Sequence, residues 1–272
     1  MNMSFYTGAV GAYMQNQRMN VQANNIANVN NYGFKAERAT FHHLMYGNVR
    51  GIDDDQLPRG SGTKMVKASI DYSCAGFAET GRTFDFAIEG DGFFALYDPT
   101  TEELSFTRDG AFMMARFLVP PDEDAEPEID PVTGEELEPQ PTEEWRLSDN
   151  EGRCVLNSEG NFIVMDPDHV TANSTDPEDE YIRLRDLDIG VFDYTIYEGM
   201  QHLDSTRFAA TDQNGPLYLG TGAIKQGVLE MSNTDLANEF IKMIEAQRSY
   251  SMALKMMTTS EEIETTINGL RG

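Results

Sequence analysis

Apolar and polar positions alternate along the chain with three different rhythms. At the start, Phe5, Ala9, Ala12, Met19, Ala23 and Ile26 fall on alternating four- and three-residue steps, with Asn16 in the one polar slot. That stepping is the seam of a coiled coil rather than the broader apolar face of a buried helix. Near the other end, Leu236, Phe240, Met243, Tyr250, Leu254 and Met257 repeat the pattern, with Gln247 in the polar slot. Two such seams in one chain predict helices over 4–28 and 233–268 that pack on each other or on copies of themselves.

The helix ends are marked as well. Asn24, Asn25, Asn28, Asn30 and Asn31 crowd ahead of Gly33. Asn tolerates the left-handed conformation and Gly adopts it freely, so the first helix is expected to stop near 27–31 and turn. Ser232-Asn233-Thr234-Asp235 sets a hydroxyl three residues before a carboxylate, a capping-box pattern for the last helix.

Between the helices the rhythm is that of strands. Residues 84–88, 93–97 and 104–107 are aromatic and branched, with turns expected at Gly90-Asp91-Gly92, at Asp98-Pro99 and at Asp109-Gly110, the last a strong hairpin dipeptide. Further strands are expected at 153–156, 161–165 and 190–197, and near 217–219. The fold class is therefore α+β: N- and C-terminal helices pairing as a coiled coil, with a β-rich middle domain. The expected division is a paired helical assembly domain from 1–35 and 225–272, and a middle domain from 36–224.

Charge sharpens that division. The net charge is −26 over 272 residues. The first fifty residues carry a net +3 and residues 225–272 a net −2, so residues 51–224 hold −27. Such a chain repels a phosphate backbone, which argues against nucleic-acid binding. Residues 118–145 hold eleven acids, no base and six prolines, and 166–180 is similarly acidic. Both are expected to be mobile acidic surface loops, since neither can bury enough apolar surface to offset its ordering entropy.

A scan for chemistry returns no site. Gly90-Asp91-Gly92-Phe93-Phe94-Ala95 fits a dinucleotide fingerprint, but strand-formers follow the glycines where that fingerprint needs a helix. Cys74 and Cys154 have no metal-like spacing, and the adjacent His42 and His43 read as surface or packing residues. A disulfide between the two cysteines stays open. Carboxylate pairs carry little information among 46 acids. No catalytic residue, cofactor or metal is expected. No apolar run is long enough to cross a membrane. The first basic residue is Arg18, which does not fit a cleaved secretory signal.

Three passages resemble the flagellar rod and hook proteins of bacteria. The first runs from Ala23 through Asn24, Asn25, Asn28 and Asn30 to Gly33, Phe34 and Lys35. The second is Ala87-Ile88-Glu89-Gly90-Asp91-Gly92-Phe93-Phe94, followed by Phe106-Thr107-Arg108-Asp109-Gly110-Ala111-Phe112. The third opens with Gln226-Gly227-Val228-Leu229-Glu230-Met231-Ser232-Asn233 and continues through Ala246, Gln247, Arg248 and Tyr250. All three occur in the family's order and the clear match covers about half the chain.

The resemblance implies a non-enzymatic structural subunit of the flagellar basal-body rod. It would be exported unprocessed through the growing flagellum and polymerise by its terminal helices into the axis that transmits motor torque. The implied partners are other copies of itself, other rod and hook proteins and the flagellar export apparatus. The chain's length points to a rod protein over a hook protein. Its opening Tyr6-Thr7-Gly8-Ala9 and its ending Ile267-Asn268-Gly269-Leu270 lean toward the proximal-rod type over the distal. The family commonly has Thr where this chain has Asn31 or Tyr32, and the acidic stretch interrupts its strand pattern after Phe112. A cell-surface adhesin whose middle domain grips a ligand is the competing reading, with Trp145 its only aromatic hint; a hydrolase lacks a positioned nucleophile.

Overall fold

The computed structural model describes residues 3–45, 47–50, 56–119, 128–129, 136–137, 142–165, 170–171, 182–183 and 187–271. It divides into two compact units, one made of residues 1–73 and 232–272, the other of 74–231.

The first unit holds both long helices, α1 (Met3–Ala27) and α2 (Leu236–Arg271), and an antiparallel pair, β1 (Glu37–His43) and β2 (Thr63–Ile70). Its boundary falls later than residue 35. Residues 36–73 belong with the helices because β1 and β2 pair with each other and pack on α1. Beyond them, Gly47–Arg50 pairs with Gln56–Arg59. His42 and His43 are both exposed.

The ends of α1 and α2 form by side-chain hydrogen bonds more than by left-handed residues. Asn28 donates to the Asn24 carbonyl and to Asn24 Oδ1 at 2.9 and 3.0 Å, and Asn31 donates to Asn28 Oδ1 at 2.7 Å. These amides compete with the helix for its own partners and end it at Ala27. Gly33 alone in this turn takes a positive φ, +68°. At the other helix, Asp235 is the cap: its Oδ1 accepts from the backbone N–H groups of Ala237 and Asn238 at 3.0 and 3.2 Å. The expected capping box had placed Ser232 in that role. Ser232 Oγ instead accepts from Thr234 N, a turn before the helix. A carboxylate at this position also suits the helix dipole, so the corrected cap is the stronger one.

The second unit is built on one large antiparallel sheet and separate strand pairs. Its strands are β3 (Phe77–Glu79), β4 (Phe86–Glu89), β5 (Phe93–Tyr97), β6 (Leu104–Thr107), β7 (Met113–Val119), β8 (Thr142–Ser148), β9 (Cys154–Val155), β10 (Val164–Met165), β11 (Val191–Tyr194), β12 (Gln201–His202), β13 (Arg207–Ala209), β14 (Leu217–Leu219), β15 (Ala223–Gln226) and β16 (Val228–Glu230). The main order is β10-β8-β9-β5-β6-β13-β12, with β7 on β8 and with β11 joining β5 to β14. β4 pairs with β15, and β3 with β16. Phe93, Phe94, Ala95 and Leu96 of β5 are all buried, which is why that strand reads as a continuous apolar run. Phe86, Ile88, Phe94, Leu96, Phe112, Leu147 and Val155 make the heart of the core.

The turn at 98–103 joins β5 to β6 as expected: Asp98 N donates to Glu103 O. The two other expected hairpins are absent. β4 and β5 lie in different sheets, so Gly90-Asp91-Gly92 is a corner between them. Gly92 has φ +118°, and a Cβ there would come within 2.5 Å of Val191. Gly110 is glycine because the chain crosses β4; a Cβ would sit 1.7 Å from the Phe86 carbonyl oxygen. A local turn signal reports a tight backbone but not which strand lies next to it.

The acidic stretch also differs from expectation at its flanks. β7 and β8 form a seven-residue ladder from Ser148↔Met113 to Thr142↔Val119, so 118–119 and 142–145 are strand. Here the acids are answered by bases: Arg116 pairs with Glu143 at 3.1 Å and Arg146 with Glu144 at 2.8 Å. Farther in, Glu128–Ile129 pairs with Glu136–Leu137. The rest of 118–145 lies outside the described residues, as does most of 166–180, within which Val170–Thr171 pairs in parallel with Ile182–Arg183. Both cysteines are free, Cys74 exposed and Cys154 buried.

Replacing Gly110 with Ala should prevent this packing, because the clash is with backbone and nothing flexible can yield. Urea unfolding should show a loss above about 4 kcal/mol, or no folded second unit. A Gly110→Ala protein of ordinary stability would contradict the crossing.

Candidate functional site

The site most worth building is the helix pair. α1 and α2 run antiparallel: Ser4 Oγ lies 3.0 Å from Ser260 Oγ, Arg18 is 3.6 Å from Glu245, and Asn25 is 3.4 Å from Glu239. Following these contacts along α1 gives Ser4, Gly8, Gly11, Gln15, Arg18, Gln22 and Asn25. On α2 the matching row is Glu239, Met243, Ala246, Tyr250, Ala253, Met257 and Ser260, none of them exposed. Both rows step by fours and threes, so the expected coiled-coil spacing is present.

On α1, however, the row is displaced by one residue from the apolar row. Phe5, Ala9, Ala12, Met19 and Ile26 lie beside the seam, Ala12 buried, while Asn16 and Ala23 are exposed. On α2, Met243, Tyr250 and Met257 are shared, but Leu236, Phe240, Gln247 and Leu254 are exposed. The cause is size. A Cβ on Gly8 would stand 3.1 Å from Met257 Cγ and 3.3 Å from the Ala253 carbonyl oxygen, and one on Gly11 4.0 Å from Ala253 Cβ. Small residues let two helices approach closely, and a hydrophobicity pattern gives them no weight.

Below the seam, carboxamides bind the unit together. Asn25 Nδ2 donates to Glu37 O at 2.8 Å while its Oδ1 accepts from Glu37 N at 2.9 Å. Asn233 Oδ1 accepts from Ala36 N at 2.7 Å, and its Nδ2 donates to Asp71 O at 2.6 Å. Lys35, fully buried, donates from Nζ to Ser73 O at 2.9 Å, next to buried Phe34. Each supplies the backbone partner that a loop strand would otherwise lack. Asn24 and Asn30 are exposed, as are Gln247 and Arg248.

In the second unit, Arg108 and Glu230 form a buried ion pair at 3.2 Å, with side chains 3% and 0% exposed. Arg108 also donates to the carbonyls of Ile88 and Gly90 at 3.4 and 2.8 Å and lies 5.4 Å over the Phe93 ring. Glu230 Oε1 accepts from Ala75 N. The Gly90-Asp91-Gly92 corner thus supplies the pair with the Gly90 carbonyl, and Leu229, next to Glu230 in the chain, is buried. Asp109 accepts from Ala111 N at 3.1 Å; burial pushes its carboxyl above the usual range, helped by the charges of Asp149 and Asp85. Among the described residues no group of His, Cys, Asp and Glu is placed to hold a metal, and no helix is long and apolar enough to cross a membrane. The sites are thus packing nodes and helix faces.

Residues 225–270 match the model of the flagellar basal-body rod FlgEFG protein C-terminal family. Over 285 aligned residues the chain is 30% identical to the flagellar basal-body rod protein FlgG of Bacillus subtilis, spanning 96% of each. The chain belongs to the flagellar basal-body rod protein family. It is 28% identical to FlgG of Borreliella burgdorferi over 100% of its length and 99% of the relative's. Against FlgF of Mesorhizobium japonicum, identity is 25% over 97% and 96%. A rod protein of this family is a structural, non-enzymatic component of a motility organelle, and this chain is FlgG-like. The lean toward the proximal type read from its two ends gives way to these full-length identities, which favour FlgG over FlgF.

Gly8→Leu should force α1 and α2 apart where Gly8→Ala, with its helix-propensity gain set against a tight contact, should leave them paired. A Ser4→Cys/Ser260→Cys pair reads this directly. It should oxidise to an intrachain disulfide in the parent and the Ala variant, and fail to do so with Leu. In the second unit, Arg108→Ala should cost about 3–5 kcal/mol by stranding Glu230, while Arg108→Leu with Glu230→Leu should cost much less; equal losses in urea melts would refute a paired role.

Proposed function

We propose that the chain polymerises through its terminal helices into the rod axis, with the faces left outside the intrachain seam serving as contacts to other subunits. The observation that carries this reading is the displaced seam. Because small residues hold α1 and α2 together, Leu236, Phe240, Ile241 and Ile244 of α2 face outward, with Phe240 48% exposed. On α1, Met3, Tyr6 and Tyr13 do the same, and the helix has one charged residue, Arg18, in 25. A helix so poor in charge and half uncovered is suited to burial by protein.

The partners are other copies of this chain and neighbouring rod and hook proteins, and the route to the axis is unprocessed passage through the flagellar export apparatus. In the rod, the subunit would carry motor torque along the axis. Likeness to FlgG supports placing it with the FlgG-type subunits.

Phe240→Glu with Ile244→Glu should abolish polymerisation, seen by sedimentation and electron microscopy. Both positions are exposed, so monomer stability should stay within about 0.5 kcal/mol of the parent. Removing residues 1–28 should likewise abolish polymers and leave the β circular-dichroism signal of the second unit, which has its own core. Filaments formed by the double glutamate variant would overturn the reading.

A further inference from the structure

The two helices of the seam are unequal. α1 has 25 residues and α2 has 36. Ser4 near the start of α1 faces Ser260, so residues 261–271 of α2 run on past the described end of α1, roughly 16 Å at the helical rise. On this overrun, Ile263, Ile267 and Leu270 step by four and three along one face and are 49%, 52% and 83% exposed. Glu261 and Glu262, both exposed, stand at its root.

A complementary surface lies farther back on the same helix. A shallow groove of about 350 Å³ is lined by Gln247, Arg248, Ser251, Met252 and Lys255. Arg248, Met252 and Lys255 again step by four and three, so two cations flank an apolar centre. Elsewhere on the helix pair, Lys242 pairs with Glu239 at 2.6 Å and Arg18 with Glu245 at 3.6 Å. Among the described residues, Arg248 and Lys255 have no carboxylate at ion-pair distance. Met252 is 66% exposed.

We propose that the overrunning end of α2 in one copy docks along the Arg248–Met252–Lys255 groove of a second copy. The inference rests on the assembly reading above and names one of its contacts. Three features select this occupant. The overrun is already helical as part of α2, so docking needs no further ordering of it. Its acids meet the unpaired cations, and its Ile263–Ile267–Leu270 stripe meets Met252. The overrun also cannot reach its own chain's groove, because both lie on one straight helix. The contact joins two different patches of the chain, so it propagates where successive copies run parallel.

The test uses full-length protein carrying Cys74→Ser. Copies with Ile267→Cys and copies with Met252→Cys are oxidised separately and mixed. The mixture should give an interchain 267–252 cross-link at least about tenfold faster than either alone, the preference that steered charge pairing supports. Arg248→Glu/Lys255→Glu should suppress the cross-link, and Glu261→Lys/Glu262→Lys on the partner copy should restore it. Faster 267–267 coupling, or equal rates in all three samples, would overturn the proposal. So would polymerisation unaffected by Ile263→Lys/Ile267→Lys, an outcome that leaves the assembly reading standing. A parent chain that stays monomeric throughout would sink both, and only loss of polymers in Phe240→Glu/Ile244→Glu together with retained cross-linking separates the two in the other direction.

Discussion

The closeness of two helix backbones governs what the rest of the first unit can do. Gly8, Gly11, Ala246 and Ala253 remove the bulk that would hold α1 and α2 apart, and the gap is too narrow for Phe5, Phe240 or Leu254. Apolar area that would have sealed a monomer is therefore left outside. Most proteins cannot carry so much uncovered area without aggregating; one whose task is ordered association uses it. The energetic cost is visible within the seam too, where Gln15 and Gln22 have buried Oε1 atoms without a hydrogen-bond partner. A pair joined by small and incompletely satisfied side chains gains little from its own packing, consistent with helices whose larger stabilisation comes from neighbours.

Below that pair, the first unit is held by side chains imitating backbone. Asn25 and Asn233 each offer a donor and an acceptor, and both point them at backbone groups of residues 36, 37 and 71 at the end of the β1–β2 ladder. Ala would leave two partly buried backbone groups without these partners in each case, and Asp would lose the donor. The asparagines thus do more than stop a helix. The ones that stop it are Asn24, Asn28 and Asn31, linked in a short chain of amides, whereas Asn25 looks across to Glu37 and Glu239.

Much of this order was legible in residue patterns, and the failures share a cause. Helix extents, the strands at 93–97, 104–107 and 217–219, and the turn after Tyr97 all follow from local periodicity. What periodicity misses is contact between distant segments. Gly92 and Gly110 looked like hairpin turns because glycine pairs usually are; their real constraints are Val191 and the Phe86 carbonyl, far along the chain. On α1 the intrachain row lies one residue from the apolar row, because glycine, serine and glutamine carry no hydrophobic signal even when they form the interface. The flanks of the acidic stretch looked unstructured because its acids were counted without Arg116 and Arg146, which the β7–β8 register brings opposite them.

The chain crosses between its units twice, at 73–74 and 231–232, and the two leads enter the second unit side by side as β3 and β16. Glu230 sits on one lead, accepts from Ala75 at the root of the other, and is held from within by Arg108. A pull on either lead is consequently shared with its neighbour through the ladder and delivered to the sheet at a single charged bolt. In mechanical terms β3 and β16 are paired leads of the second unit, tied to its core at one charged anchor. Load arriving on either lead falls first on the β3–β16 ladder, on the backbone bonds from Thr80 and Met231 at its two ends, and on the Arg108–Glu230 pair.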